Sequence, residues 1–578
     1  MEYSQLQIRP SGNEILAALK LIMAADPSLQ VERQRVRGVD YLMFKEQPVS
    51  LREWFQIADE FPREDFLVFG EDRMTFGEAA EKSDSFAAVL QKEFNAKKGD
   101  RVAIVMRNYP EWVVAFMAAA KIGAIAVPLN GWWTAEEFAY GLSDAGATLV
   151  VCDAQRLDRI SHCLADLGLR AIVVRNGIAD DKVVFHYDRL QAKYAGQQPD
   201  FVAIDSEDDA YILYTSGSTG FPKGAVSSHR AVISTLKSWG VSYAASQFAL
   251  QQKAAAAGVE LPEEPPFPPA VLLPVPLFHV TGSNAGLLIS FLSGRKVVLM
   301  YKWDVQDALS LIERERVTNI VSVPTQSMEL MQAPNLAEFD LSSLNDIGGG
   351  GAARPQQHVG KLLKTFTQAS TGIGYGLTET NAFGSNISGP DYAERPASAG
   401  RPTPPTSEIK VTDEDGKEMA TGQVGEICLR SPSNMRAYWN RPEETAAAFR
   451  DGWFRSGDLG YLDAQGYLFI VDRLKDIIVR AGENISCLEV EACLYHHPDI
   501  AEVSVFGVPD ERMGEKVGAV VLLKTGSMLE DGEVIDFVHD HLASFKCPEV
   551  IWFTSDPLPR TASEKIDKTV LRKTYLTD

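Results

Sequence analysis

The chain has 578 residues, 45% of them hydrophobic, enough for about three or four structural units at roughly 150 residues per domain. Its 56 Lys and Arg stand against 78 Asp and Glu, and the resulting net charge of −22 repels polyanions, which argues against nucleic acid and anionic membrane surfaces as partners. Six cysteines, with no C-x-x-C pair and no His at metal-ligand spacing, read as small buried apolar residues in a reducing compartment.

The N-terminus, MEYSQLQIRPSGNE, lacks a basic stretch followed by an apolar core, so no secretory signal is predicted. The most apolar segment, WVVAFMAAAKIGAIAVPL, is broken by Lys121 and Gly123 and falls short of the ~20 apolar residues of a spanning helix. A soluble, cytoplasmic protein is therefore expected. In the first 60 residues only LREWFQIADEF carries a pattern, that of a packing helix. From about residue 100, β-branched runs (RVAIVM, AIAVPL, ATLVVCD, LRAIVVRN) alternate with amphipathic segments, which predicts α/β layers with buried strands.

The stretch YILYTSGSTGFPKGAVSSHRAV then presents an apolar run ending at Tyr214, a loop of small and hydroxyl residues, and a helical pattern. Small residues let backbone N–H groups approach phosphate oxygens, hydroxyls add donors, and Lys223 adds positive charge. Lys223 is followed by Gly224, so the G-x-x-x-x-G-K-[ST] loop of kinases and ATPases is excluded by spacing. Residues 243–270, rich in Ala, Gln, Glu and Pro, predict a helix and a surface loop inserted before a strand at 270. The strand–helix rhythm resumes through AVLLPVPLFH, GRKVVLM, DALSLIERERV and TNIVSVPT. GGGGAARP follows a strand and can offer bare backbone to a flat ring, and GYGLTET adds an aromatic face at Tyr375. After IVDRLKD, about 100 residues of mixed helix and strand pattern predict a small separate α+β unit, with the boundary near Asp472 to Lys475.

The loop YTSGSTGFPKG, with the ordered motifs after it, resembles the signature of the adenylate-forming superfamily of acyl-CoA synthetases, adenylation domains and luciferases. The likeness runs from about residue 65 to residue 573. It implies an α/β protein with a large, multi-subdomain N-terminal adenylation domain and a small, mobile α+β C-terminal domain. The expected divisions are an N-terminal extension over residues 1–60, the adenylation domain over 61–472 and the C-terminal domain over 473–578, with a hinge at Lys475. The resemblance also implies ATP, Mg²⁺ and coenzyme A.

The same resemblance assigns roles. Thr215, Ser216, Gly217, Ser218, Thr219, Gly220 and Lys223 are expected to grip phosphate. Adenine is expected between Gly350, Gly351 and Ala352 on one side and Tyr375 and Gly376 on the other. Thr378 is expected at the α-phosphate and Glu379 on the metal, which suits a hard cation that takes one or two carboxylates plus phosphates. Asp458 would accept both ribose hydroxyls with its two oxygens, and Arg473 would assist at the nucleotide. Lys565, in LPRTASEKIDK, is the expected catalytic lysine, with Glu564 where the family usually has Gly. His279 would separate the acyl pocket from the thiol tunnel, and Gly482 would arrive beside pantetheine after the hinge turns.

Amino-acid-activating members of the superfamily usually carry an Asp shortly after the phosphate loop to pair the substrate ammonium, and the corresponding strand here reads PVPLFHVTG without one, so an acid without an α-amine is favoured. The small residues Thr281 to Gly286 suggest room for a medium- or long-chain fatty acid, with an aryl or polycyclic acid as the alternative. Two further readings stay open: transfer of the acyl group to a carrier protein, and a nucleotide-binding protein without catalysis. Oligomeric state is left open, a homodimer included.

Overall fold

The computed structural model describes residues 8–175, 181–215, 222–262, 265–561 and 564–576. Two large sheets carry the N-terminal part, one of eight strands and one of nine. In the first, Arg101–Val105 lies parallel between Ile125–Pro128 and Leu149–Asp153. In the second, Ala270–Leu273 lies parallel between Lys296–Leu299 and Asn319–Ser322, and Asp346–Gly350 and Ser370–Tyr375 continue the parallel run.

Strand alternation divides the apolar residues among three cores. Val102 and Ile104 share one core with Val271, Leu273 and Val297, so this core fills the space between the sheets. The intervening residues Ala103 and Val105 join Phe138, Leu142 and Ile160 of the helices Ala135–Ala145 and Ala154–Leu164. Leu272 and Val298 join Leu309, Ile312 and Leu362 of Val305–Glu315 and Gln356–Thr365. Helices Phe76–Lys92 and Pro110–Lys121 occupy the middle layer, with Trp112 and Phe116 fully buried and stacked at 5.3 Å. Side chains of this size contribute about 1.5–3 kcal/mol each when fully buried. The parallel strands of each sheet end at a common edge, where ligand sites of α/β sheets lie.

One local expectation is corrected, and a second, the helix and loop of residues 243–270 before the strand at 270, holds with an earlier helix start. The segment after the glycine-rich loop is a strand before it is a helix: Lys223–Ser228 pairs antiparallel with Asp209–Thr215, with Thr215 opposite Lys223. Edge pairing with Ala437–Tyr438 and burial of Val226 hold it extended until Ser228 caps the helix. That helix, His229–Ala257, runs unbroken for 29 residues to Gly258. The 243–270 stretch is therefore its second half plus a connection to the strand at 270. Ala245 and Ala249 of that half pack against Ala18, Leu19 and Phe44 of the N-terminal segment. Residues 15–44 and the extended helix thus bury each other's apolar faces.

A third sheet, built on Glu408–Thr412, Gly425–Arg430, Trp453–Leu462 and Leu468–Arg473, adjoins the two large ones. After the turn at Arg473–Ile477, a five-stranded sheet begins at Ile478. Its strands Ile500–Asp510 and Gly514–Leu523 pack against helices Cys487–Leu494 and Asp531–His541 on one face and Lys568–Tyr575 on the other. All six cysteines are free and buried. No helix among the described residues is long and apolar enough to cross a membrane.

Candidate active site

The edge formed by the C-terminal strand ends gathers most of the residues singled out in the sequence. The run Gly348 to Gly350 is itself strand, in register with Gly372 to Gly374, so the turn at Gly351 and Tyr375 emerge side by side. Gly351 has φ +79°, a left-handed conformation that glycine adopts without steric cost. A side chain there would meet Lys565, at 3.4 Å from Cε and 3.6 Å from Nζ. The lysine of the C-terminal sheet unit thus lies against the glycine turn of the large unit.

Asp458 is buried on strand Trp453–Leu462, directly opposite Arg473 in the antiparallel ladder. Its Oδ2 accepts a 2.7 Å hydrogen bond from the Tyr375 hydroxyl, and its Oδ1 lies 3.0 Å from Arg473 Nε. Burial raises its pKa, opposed by the Arg473 cation and the Tyr375 hydrogen bond. Lys565 is enclosed, and burial followed by repulsion from Arg473 lowers its pKa to about 8, with Asp458 opposing the shift. Next to it, burial and the Lys565 charge hold His279 down to about 3. His279 is therefore a neutral imidazole at working pH, and its Nδ1 accepts from the Thr281 N–H at 3.2 Å.

Glu379 is buried on a short turn of helix, Thr378–Thr380, and its Oε1 accepts from the Tyr438 hydroxyl at 2.7 Å. The other oxygen has no protein partner among the described residues. The Thr378 hydroxyl likewise makes no bond to a described residue. Lys223 Nζ stands 4.5 Å from the Tyr438 ring centroid, which brings the phosphate-loop lysine to the same corner as Glu379. Thr215 donates from its hydroxyl to the Lys223 carbonyl at 3.3 Å. Ser216, Gly217, Ser218, Thr219 and Gly220 lie outside the described residues. Gly350, Ala352 and Gly376 border the same turns.

Two expected residues stand apart. Lys475 is exposed in the turn between Arg473 and Asp476, on the chain that joins the two units. Gly482, at φ +89°, occupies an exposed hairpin tip, and a Cβ placed on it would have nothing within 4 Å. In this arrangement Lys565 is at the site and Gly482 is away from it.

Glu564 explains its own oddity in part. It adopts φ +61°, where an L residue is strained by about 1–2 kcal/mol and glycine is not. Its carbonyl accepts from the Thr325 hydroxyl at 3.3 Å, a bond between the two units. Its carboxyl pKa is raised by burial, with Arg560 and Arg107 opposing and Glu329 adding to the shift. Nothing in the sequence singles out Arg107: its guanidinium stacks 3.5 Å from the Trp132 centroid, and Trp132 meets Phe278 edge-on next to His279. Tyr438 is equally silent, since MRAYWN carries no pattern that announces a carboxylate partner. A buried polar network, with Asn284 Nδ2 donating to Tyr211 Oη at 2.9 Å and Ser227 Oγ donating to Asn381 Oδ1 at 3.1 Å, ties the two sheets together beneath the site.

The AMP-binding enzyme family model matches residues 54–439, and the AMP-binding enzyme C-terminal domain model matches residues 489–565. The chain belongs to the AMP-binding enzyme family. As an AMP-binding enzyme it is an ATP-dependent, AMP-forming acid–thiol ligase. Its sequence is 34% identical over 505 residues to a long-chain-fatty-acid–CoA ligase of Mycobacterium tuberculosis, covering 87% of this chain and 93% of the relative. It is 34% identical over 526 residues to a 2-succinylbenzoate–CoA ligase of Bacillus velezensis, covering 91% and 97%. Its fold matches the o-succinylbenzoate CoA synthetase of Bacillus subtilis, solved with an acyl-adenylate, at TM-score 0.75 and 29% identity, covering 91% of this chain and 98% of that one.

Proposed function

We propose that this AMP-binding enzyme condenses a medium- to long-chain carboxylic acid with ATP to an acyl-adenylate at the Lys565 corner and then transfers the acyl group to coenzyme A. The observation that carries the reading is the convergence of Lys565, Asp458 and Tyr375 from two separately folded units onto the glycine turn at Gly351. A lysine brought there supplies positive charge where negative charge develops at the α-phosphorus, and the enclosure makes that charge count for more than it would in water. Thr378, whose hydroxyl has no partner among the described residues, donates to the same phosphate. Asp458, already held by Tyr375 and Arg473, is oriented to accept the ribose hydroxyls.

Glu379 fits a Mg²⁺ site: one oxygen is fixed by Tyr438, the other has no partner among the described residues, and a single carboxylate plus phosphate oxygens is the ordinary donor set of this cation. When bound there, the ion would neutralise phosphate charge. Neutral His279 neither attracts nor repels the acid and serves as a wall between acyl group and thiol. Lys475 is the pivot about which the C-terminal unit, residues 473–578, turns to withdraw Lys565 and bring Gly482 toward the thiol path.

Relatives named for fatty acids, ferulate and 2-succinylbenzoate show that membership alone does not select the acid. The test is a panel of acids with ATP, Mg²⁺ and coenzyme A, with products identified by mass. Acyl-CoA, AMP and pyrophosphate in equal amounts support the reading. Acyl-AMP that accumulates and is never converted by coenzyme A would overturn the second step and favour a carrier protein.

A further inference from the structure

Gly282 and Gly286 do not open the acyl space. Thr281–Leu287 is a tightly packed π-helical turn, and a side chain at Gly282 or Gly286 would lie 2.2 Å from the Pro276 carbonyl oxygen or Leu273 Cδ1. Open space lies elsewhere. Among the described residues, side chains placed at Gly348, Gly350 and Gly374 would come within 4 Å only of atoms of their own sheet, Asp346 included. Because Gly348 and Gly350 share a strand face with Asp346, this bare strip runs from the Lys565 corner back along the strand. Four residues of strand set its length at about 13 Å, which an extended chain of about ten carbon atoms would span.

The far end of the strip is charged. Asp346 and Arg295 are both partly exposed, and each charge favours the other. Arg295 donates from Nε to Ser290 Oγ at 3.0 Å and from Nη2 to the Gly286 carbonyl at 2.9 Å. Its Nη1 donates to no described residue. Asp346 makes no ion pair within 4 Å to a described residue; burial raises its pKa, opposed by Arg9, Arg354, a hydrogen bond from the Asn319 side chain, and Arg295. Tyr243, on the outer half of the long helix and 65% exposed, feels both Arg295 and Asp346 and marks the solvent edge. A plain methyl terminus placed here would desolvate the Arg295 guanidinium without returning a hydrogen bond to its Nη1.

We infer that the acid taken by this site carries a hydrogen-bond-accepting oxygen, a hydroxyl or a second carboxylate, about ten carbon atoms from the activated carboxyl, and that Arg295 receives it. The inference rests on the proposed reading that the carboxyl is activated at Lys565.

The experiment is acid-dependent ATP–pyrophosphate exchange with decanoic acid, its ω-hydroxy derivative and the α,ω-dicarboxylic acid of the same length, in wild type and in Arg295→Met. The expected result is a kcat/KM at least about tenfold higher for one or both oxygenated acids than for decanoic acid, and a loss in Arg295→Met about tenfold greater for them than for decanoic acid. The better of the two oxygenated acids identifies the distal group. Equal or better use of decanoic acid by the wild type overturns the inference, as does an unchanged preference in the variant. If Arg295→Met does not fold, as read by circular dichroism, the wild-type preference decides alone. Exchange with no acid of any kind counts instead against adenylate formation.

Discussion

Raising the pH from 7 to 9 should switch off the adenylation step by deprotonating one lysine. Lys565 has its pKa lowered from 10.5 to about 8 by burial, with a contribution from Arg473. The direction matters: a lowered lysine pKa means that docking disfavours the protonated form. Below pH 8 the docked lysine carries a penalty of about 3 kcal/mol relative to the same lysine in water, and the penalty fades between pH 8 and 10.5. Nucleotide phosphate offsets it, so the charge is held most firmly when ATP is bound. In the free enzyme the protonated fraction falls from about nine-tenths at pH 7 to about one-tenth at pH 9, and kcat/KM for ATP should fall about tenfold with it. The assay is pyrophosphate exchange at saturating acid without coenzyme A, so thiol ionisation plays no part. Neighbouring groups do not confuse the profile: His279 titrates at about 3, and burial beside Asp458 pushes the Tyr375 hydroxyl well above its ordinary range. Lys565→Arg, whose guanidinium stays charged, should lose the alkaline limb whatever its absolute rate. A flat profile from pH 7 to 9, or an identical limb in Lys565→Arg, would refute the assignment.

Other outcomes follow from the same geometry. Glu564→Gly removes the left-handed strain at φ +61° from the docked turn and should speed adenylation up to about fivefold, leaving thioester formation from supplied acyl-AMP unchanged. A slower adenylation would instead give the Glu564 carboxyl a task of its own. Glu379→Gln should shift the Mg²⁺ activation curve at least about tenfold toward higher metal, and chelation should abolish exchange in the wild type. The Lys475 N–H makes no bond to a described residue, so Lys475→Pro costs no hydrogen bond while stiffening the turn. Adenylation should survive in that variant and transfer to coenzyme A should fail, with an unaffected overall rate counting against the pivot.

Much of the candidate site is legible in the chain because the residues proposed to hold the nucleotide sit in short contiguous motifs at strand ends, where local sequence and local geometry coincide. Tyr375, Asp458 and Arg473 are readable for that reason, and the structure sets them in one hydrogen-bonded cluster. The acyl side is not legible. Its space is defined by what glycines at 348, 350 and 374 leave bare, and its far end by Arg295 and Asp346, which are 51 positions apart and carry no shared pattern. The small residues at 282 and 286 mislead because a glycine forced by close packing reads the same as a glycine that leaves room. Lys223–Ser228 reads as the start of a helix because its strand character comes from neighbours on both sides, supplied by distant segments.

The central claim, that the acid is activated as an adenylate before any thiol attacks, is tested most directly by a single turnover with ATP, Mg²⁺ and a competent acid but no coenzyme A, quenched and resolved by mass. The account predicts enzyme-bound acyl-AMP and one equivalent of pyrophosphate, both formed without the thiol, followed by conversion of the adenylate to acyl-CoA and AMP when coenzyme A is added. Pyrophosphate released only in the presence of coenzyme A, or ADP and phosphate in place of AMP and pyrophosphate, would contradict it.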